Sequence, residues 1–367
     1  MIQFTNADIQ ALRLIGWCKD VPPRPEAPLT QERLGMFELL GLSRKSKSGR
    51  SIRLTQKGYR LLADCGYELP QDKYPVGAGR VLERRLQTAG GMRLFYLAGV
   101  DVFLQNTDQF SGSNPQFLPS FALRQRQSVT ENMLGATRFL GFLKCGSNMY
   151  IPYFLQTGKE QFIPETELAV AKAVSSLCGE VESLRLLLIC ERPEEIARLA
   201  AKPFKWQKIM PVANALGVPY PVYLLPRAAE EGARQLRLIL AENYLGAILR
   251  LSEAAVTTEN CPPEFDAILR DNGSPFLVGV DGDIKRMLRA HEVARREETL
   301  LHILCFGFQI PFLEPLVRGA RFLELRETEI NRVMGLSDAL YQPDNTAFIT
   351  PGGFLIGDDY FAKEDRI

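Results

Sequence analysis

Two stretches of this 367-residue chain gather side chains able to do chemistry. The first is FLVGVDGDIKR at 276–286, where Asp281, Asp283 and Lys285 fall together. Two carboxylates and a lysine are what a metal-dependent nuclease uses: the carboxylates hold Mg²⁺, and the lysine positions the attacking water or stabilises charge. The bland explanation of the same residues is a strand-to-helix turn at Gly282, with Asp281 or Asp283 capping the helix. The cap is the favoured reading, so no catalytic residue is assigned, and the nuclease triplet stays as the alternative. The second stretch is SRKSKSGRSIRLTQK at 43–57. It places Arg44, Lys45, Lys47, Arg50, Arg53 and Lys57 within fourteen positions and has no carboxylate among them. Such a cluster suits a polyanion, because each Lys or Arg that neutralises a phosphate releases condensed counterions.

Other chemistry finds little support. Glu165-Thr166-Glu167 is acidic where a helix N-terminus is expected, and the helix dipole favours acids there. The chain has two histidines, His291 and His302. If both lie on one helix, about 16 Å separates them at 1.5 Å per residue, too far for one metal ion. Gly-x-Ser-x-Gly, Gly-x-Gly-x-x-Gly and Walker A patterns are absent, and GAGR at 77–80 lacks a preceding strand. No cofactor or metal and no enzymatic activity are therefore expected. Seven cysteines without a Cys-x-x-Cys pair read as reduced thiols of a cytoplasmic protein.

The net charge of +1 hides a polarity. Residues 1–67 carry eleven Lys and Arg against six Asp and Glu, whereas the rest of the chain carries 33 against 37. A basic end that meets a polyanion and a body with another task would produce this pattern. With 46% hydrophobic residues, the composition is that of an ordinary globular chain. No apolar run is long enough to span a bilayer, and the N-terminus lacks the basic region of a secretory signal.

The elements that must position the basic cluster are legible. Thr5 and Asp8 form a capping box for a first helix. VPPRPEAP breaks it, Thr30 caps a second helix, and Gly41 ends that helix. Two short strands turn at Ser48-Gly49, and Thr55 caps a third helix. Residues 69–80, rich in Pro and Gly, read as a linker. Beyond it, VLERRLQTAGGMRLFYLAG is helical and GVDVFLQ a strand. PQFLPSFALRQRQ reads as a strand, and ATRFLGFLKCGSNMYIPYFLQTG as a hairpin turning at 146–148. PETELAVAKAVSSL is helical. Strands LRLLLIC, YPVYLLP, GAILRL, PFLVGVD and ARFLELR follow, with helices PEEIARLAA, AAEEGARQLRLILAENY and IKRMLRAHEVARREETLLHILC between them. This alternation predicts a mixed α/β body.

Helix, helix, hairpin and the RLTQKGYRLL helix resemble the winged helix-turn-helix fold of DNA-binding proteins. That resemblance implies a helix in the major groove and a hairpin wing on phosphates. The usual middle helix has no room between the first two, where VPPRPEAP stands. The helix in the recognition position offers Gln31, Glu32, Arg33 and Glu38 as polar reach, so the wing is expected to be the main contact. The order of basic winged helix, RRLQTA…FYLAGVDVF, TRFLGFL…YIPYFL and an α/β region with VDGDIKR resembles the replication-relaxation family of conjugative plasmids and transposons. This resemblance implies a body like a degenerate restriction-endonuclease fold, with Asp283-x-Lys285 matching half of the PD-(D/E)xK signature. It also implies duplex DNA as ligand and a relaxase or replication protein as partner.

The expected organisation is a winged-helix domain at 1–68, a linker at 69–80, an α/β body at 81–340 and a loosely packed tail at 341–367. The expected function is that of a double-stranded DNA-binding accessory protein of a mobile genetic element, with DNA contacts from Arg33, Arg44, Lys45, Lys47, Arg50, Arg53 and Lys57. No membrane partner is expected, and the body is assigned partner binding or homodimerisation. The alternatives are a transcriptional regulator with a sensor domain and a Mg²⁺-dependent nuclease.

Overall fold

The computed structural model describes residues 3–69, 79–105, 107–110, 114–125, 134, 137–155, parts of 169–178, 181–200, 221–241, 243–341, 343–350 and 353–354. The chain is mixed α/β and divides into two units, 1–97 with 341–367, and 98–340.

In the first unit, helix α1 (Asn6–Cys18) starts at Thr5, whose hydroxyl accepts from the Asp8 amide while Asp8 accepts from the Thr5 amide. This reciprocal cap satisfies two otherwise orphaned donors. Ile9, Leu12, Ile15 and Trp17 bury the apolar face that the helical period predicts. Helix α2 (Gln31–Leu39) is capped by Thr30 and ends at Gly41, whose φ of 69° lets the Leu42 amide return to the Phe37 carbonyl. Strands β1 (Ser43–Lys45) and β2 (Ile52–Leu54) pair antiparallel. Val21 forms an isolated antiparallel bridge to Ile52, with N–H···O distances of 3.1 and 2.9 Å, that the sequence reading did not include. Helix α3 (Gln56–Asp64) is capped by Thr55. Its Gly58 lies so close to the Leu42 carbonyl that a Cβ there would come within 2.3 Å of the oxygen. That contact gives the glycine of the LTQKG segment its physical reason.

As expected, residues 22–30 contain no helix. Arginines take the carbonyls that a helix would have satisfied internally. Arg93 donates to the carbonyls of Arg24 (3.4 Å) and Glu26 (2.5 Å), and Arg33 to that of Pro28 (3.0 Å).

The division of the chain differs from the expected one. Helix α4 (Arg80–Leu97), assigned to the body from sequence, belongs to the first unit, where the Cys18 and Met92 sulfurs stand 3.6 Å apart. The segment beyond 341, expected to pack loosely, also returns to this unit. Asn6 donates from its backbone to the Thr346 carbonyl (3.0 Å), and Phe348 to that of Phe4 (2.8 Å). Most of the expected linker, 70–78, lies outside the described residues, as do residues 355–367 of the tail.

Among the described residues, the second unit holds two five-stranded sheets. In the first, strands β3 (Gln116–Pro119), β4 (Gly141–Cys145), β5 (Asn148–Phe154), β6 (Ser183–Cys190) and β7 (Val222–Pro226) lie in chain order. The β3–β4–β5 pairs are antiparallel and the β5–β6–β7 pairs parallel. The apolar runs of β5 and β7 are buried along their whole length, as expected for strands covered on both faces. The second sheet has the order β12 (Arg321–Glu324), β11 (His302–Cys305), β10 (Pro275–Val278), β9 (Ala267–Leu269), β8 (Val256–Thr257). The sheets meet where the Leu224 amide of β7 donates to the Gly282 carbonyl at 2.9 Å. Gly282 has φ 70°, and a Cβ on it would lie 2.6 Å from the Leu224 carbonyl.

Among the helices described in this unit are α5 (Ser120–Gln125), α6 (Pro193–Ala200), α7 (Ala229–Leu240), α8 (Tyr244–Leu251), α9 (Ile284–Arg296) and α10 (Glu327–Met334). Three expectations are corrected here. GAILRL lies in helix α8, not in a strand, because Ala247 and Ile248 bury one helical face. The long helix from Ile284 stops at Arg296, and His302 stands on strand β11. PQFLPSFALRQRQ is split between β3 and α5. Strands β8 and β9 were not expected from the sequence, and GVDVFLQ, expected as a strand, forms no strand among the described residues and bridges to Gln116 through Asp101.

Candidate nucleic-acid interface

The hairpin cations do not share one environment. Arg53 lies across the β1–β2 ladder from Arg44, yet its guanidinium turns inward to Asp20. Asp20, 1% exposed, is the anchor of the hairpin. It also accepts from the Ser51 hydroxyl (2.7 Å) and from Arg85 of α4 (3.2 Å). Arg33 is likewise engaged inside the unit. Its Nε donates to Asp8 at 3.0 Å while another nitrogen holds the Pro28 carbonyl. Arg33, expected to contact DNA, is therefore an internal brace between α1 and α2, and Arg53 braces the hairpin.

Arg44, Lys45, Lys47 and Arg50 stand exposed, and Lys57 is half-buried in the first turn of α3. Lys45 approaches Glu38 at 3.8 Å, with both side chains more than half exposed. The tip is a tight turn: Gly49 has φ 68°, its amide reaches the Ser46 carbonyl at 2.9 Å, and Ser46 and Ser51 close the loop at 2.7 Å. Lys47 and Arg50 therefore project from a short, hydrogen-bonded support.

The other candidate cluster is built differently. Asp283 is the N-cap of α9, accepting from the amides of Lys285 (3.1 Å) and Arg286 (3.3 Å). Asp281 accepts from the Asp283 amide, from the Tyr244 hydroxyl at 2.5 Å and from Arg286 at 3.2 and 3.3 Å. The other arm of Arg286 grips both oxygens of Asp266 at 2.7 and 2.8 Å. Burial and the neighbouring Asp281 push the Asp283 carboxyl up to about 6. Burial works against the Arg286 charge, but Asp281 and Asp266 outweigh it and hold the guanidinium above its ordinary range. Burial and Asp281 raise the Tyr244 hydroxyl as well.

Asp281 and Asp283 thus stand together at the end of β10, with the lone pairs of Asp281 directed at Arg286 and Tyr244. Lys285 supplies a backbone amide to the cap. Among the described residues no group of three or more His, Cys, Asp or Glu is placed to hold a metal ion. Glu165 and Glu167 lie outside the described residues. Burial pushes the thiols of Cys18 and Cys65 up to about 12, far from the low range of an activated nucleophile. No described helix is long and apolar enough to cross a membrane.

Asp20, Asp266, Arg286 and Tyr244 were missed by sequence reasoning. Each finds its partner across a turn or a distant element, and no local pattern signals that. No protein-family model matches the chain, and no curated protein and no solved structure is significantly similar to it.

Proposed function

We propose that the N-terminal unit is a winged helix that binds double-stranded DNA through the β1–β2 hairpin. The observation that carries the reading is the exposure of Arg44, Lys45, Lys47 and Arg50 around a braced tip. The remaining architecture supports it: Asp20, Val21 and Gly58 fix the hairpin to the helices, so its cations are presented rather than free to collapse. On the family resemblance, the chain acts as a DNA-binding accessory protein in the relaxation, replication or transfer of a mobile element. A gene for a relaxase or a coupling ATPase beside its own would support that role. A promoter as sole target, with release by a small molecule, would favour a transcriptional regulator instead.

The DNA reading is tested by fluorescence anisotropy of the full chain across a salt series. Replacing Arg44, Lys45, Lys47 and Arg50 together by Ala removes up to four phosphate contacts, each worth about −0.9 in the slope of log K against log salt. The slope should flatten by roughly three units or more. An unchanged slope and affinity in that variant would reduce the hairpin to a solvated loop.

A further inference from the structure

We infer that this unit holds duplex DNA by its backbone alone and that α2 reads no bases; the inference rests on the DNA-binding reading above. The outward positions of α2 are Gln31, Glu32, Gly35, Glu38 and Leu39, with Leu39 80% exposed. The one cation of the helix, Arg33, is tied to Asp8 and the Pro28 carbonyl. A glutamate can accept from a cytosine amine in the major groove. To bring it there, however, the helix must pass between two rows of phosphates, and α2 turns no cation outward to offset them. Glu38 instead stands 3.8 Å from Lys45 and draws on the charge of the wing itself.

The exposed cations gathered in one place are those of the hairpin. Four cations neutralising four phosphates give a slope of about −3.6 and a loss of roughly 100-fold in affinity between about 50 and 200 mM salt. They place the dissociation constant in the non-specific range, about 10⁻⁴ to 10⁻⁶ M at physiological salt. A module this weak would bring DNA-backbone affinity to an assembly and leave the choice of sequence to another component.

The test is anisotropy of the full chain against an AT-rich, a GC-rich and a mixed duplex at matched salt. Affinities should agree within about tenfold, less than one good bidentate base contact can discriminate. Glu38→Gln should tighten binding to all three alike by a few fold, because it removes a repelling charge and releases Lys45. Arg33→Gln should leave the ratios between duplexes unchanged. A preference beyond about tenfold for one duplex, or ratios that collapse in Arg33→Gln, overturns the inference while DNA binding stands. Failure of every duplex to bind at about 50 mM salt removes the DNA reading itself, and the inference falls with it.

Discussion

Each unit of the chain buries a knot of opposite charges, and the two knots are inverses. In the first unit one carboxylate, Asp20, serves Ser51, Arg53 and Arg85. In the second, one guanidinium, Arg286, serves Asp266 and Asp281, with Asp283 beside them. The surplus in the first is positive and sits on long side chains, 21% and 17% exposed, which can reach water. The surplus in the second is negative and sits on short aspartates, Asp281 and Asp283 in the turn after β10 and Asp266 just before β9. Those carboxylates are short and cannot reach solvent as the arginines can, and burial together with Asp281 raises the carboxyl of Asp283. A cluster of like charges in a sequence therefore has two fates: part of it is consumed in holding the fold, and only the remainder faces outward.

The comparison breaks most sharply at Arg286. Arg286→Ala leaves two carboxylates buried without their cation, and the body should lose about 5 kcal/mol, the upper end for a broken buried pair. Urea unfolding followed by hydrogen exchange in β10 and α9 reads this directly. Asp20→Ala should cost less, about 3 kcal/mol, because Arg53 and Arg85 can hydrate once released. The loss should appear as faster exchange in β2, with the body unaffected.

Asp283→Asn sharpens the contrast through pH. A carboxyl raised to about 6 when folded holds an extra proton that the unfolded chain, titrating near 4, gives up. Wild-type stability should therefore fall as pH rises from about 4 to about 6 and then level off. Asn accepts the same amide bonds at the cap without the charge, so the variant should lose this decline and gain up to roughly 3 kcal/mol on wild type at neutral pH. A decline of the same size in the variant would place its origin in another group. Last and smallest, the combined replacement of Lys47 and Arg50 by Ala should change stability by less than about 0.5 kcal/mol, since both side chains are exposed. A larger loss would show that the tip, like Arg53, belongs to the fold.

Much of the first unit was legible because its signals are local. Thr5 with Asp8, Thr30, Gly41, the Ser48-Gly49 turn and Thr55 each act within a few residues of themselves, and each does so in the structure. GAILRL and LLHILC were misread for a physical reason. A short apolar run fits a strand or a buried helical turn equally well, and only its packing decides. The boundary after residue 68 was misplaced because α4 and the segment near 346 join the first unit across a long stretch of chain.

The sequence by itself determined the helix caps, the hairpin, the absence of a helix at 22–30, the α/β character of the body and the concentration of cations at 44–57. All of these follow from backbone preferences and composition, which need no knowledge of distant neighbours. Tertiary structure alone decided which cations are free to meet a ligand. Arg33 and Arg53 look like Arg44 and Arg50 in the sequence, yet buried Asp8 and Asp20, 25 and 33 positions away, take their guanidinium groups. It likewise made Asp283 a helix cap and bound Asp281 to Arg286 and Tyr244. A buried charge must find its counter-charge wherever the fold brings one, and that pairing is set by three-dimensional proximity rather than by spacing along the chain.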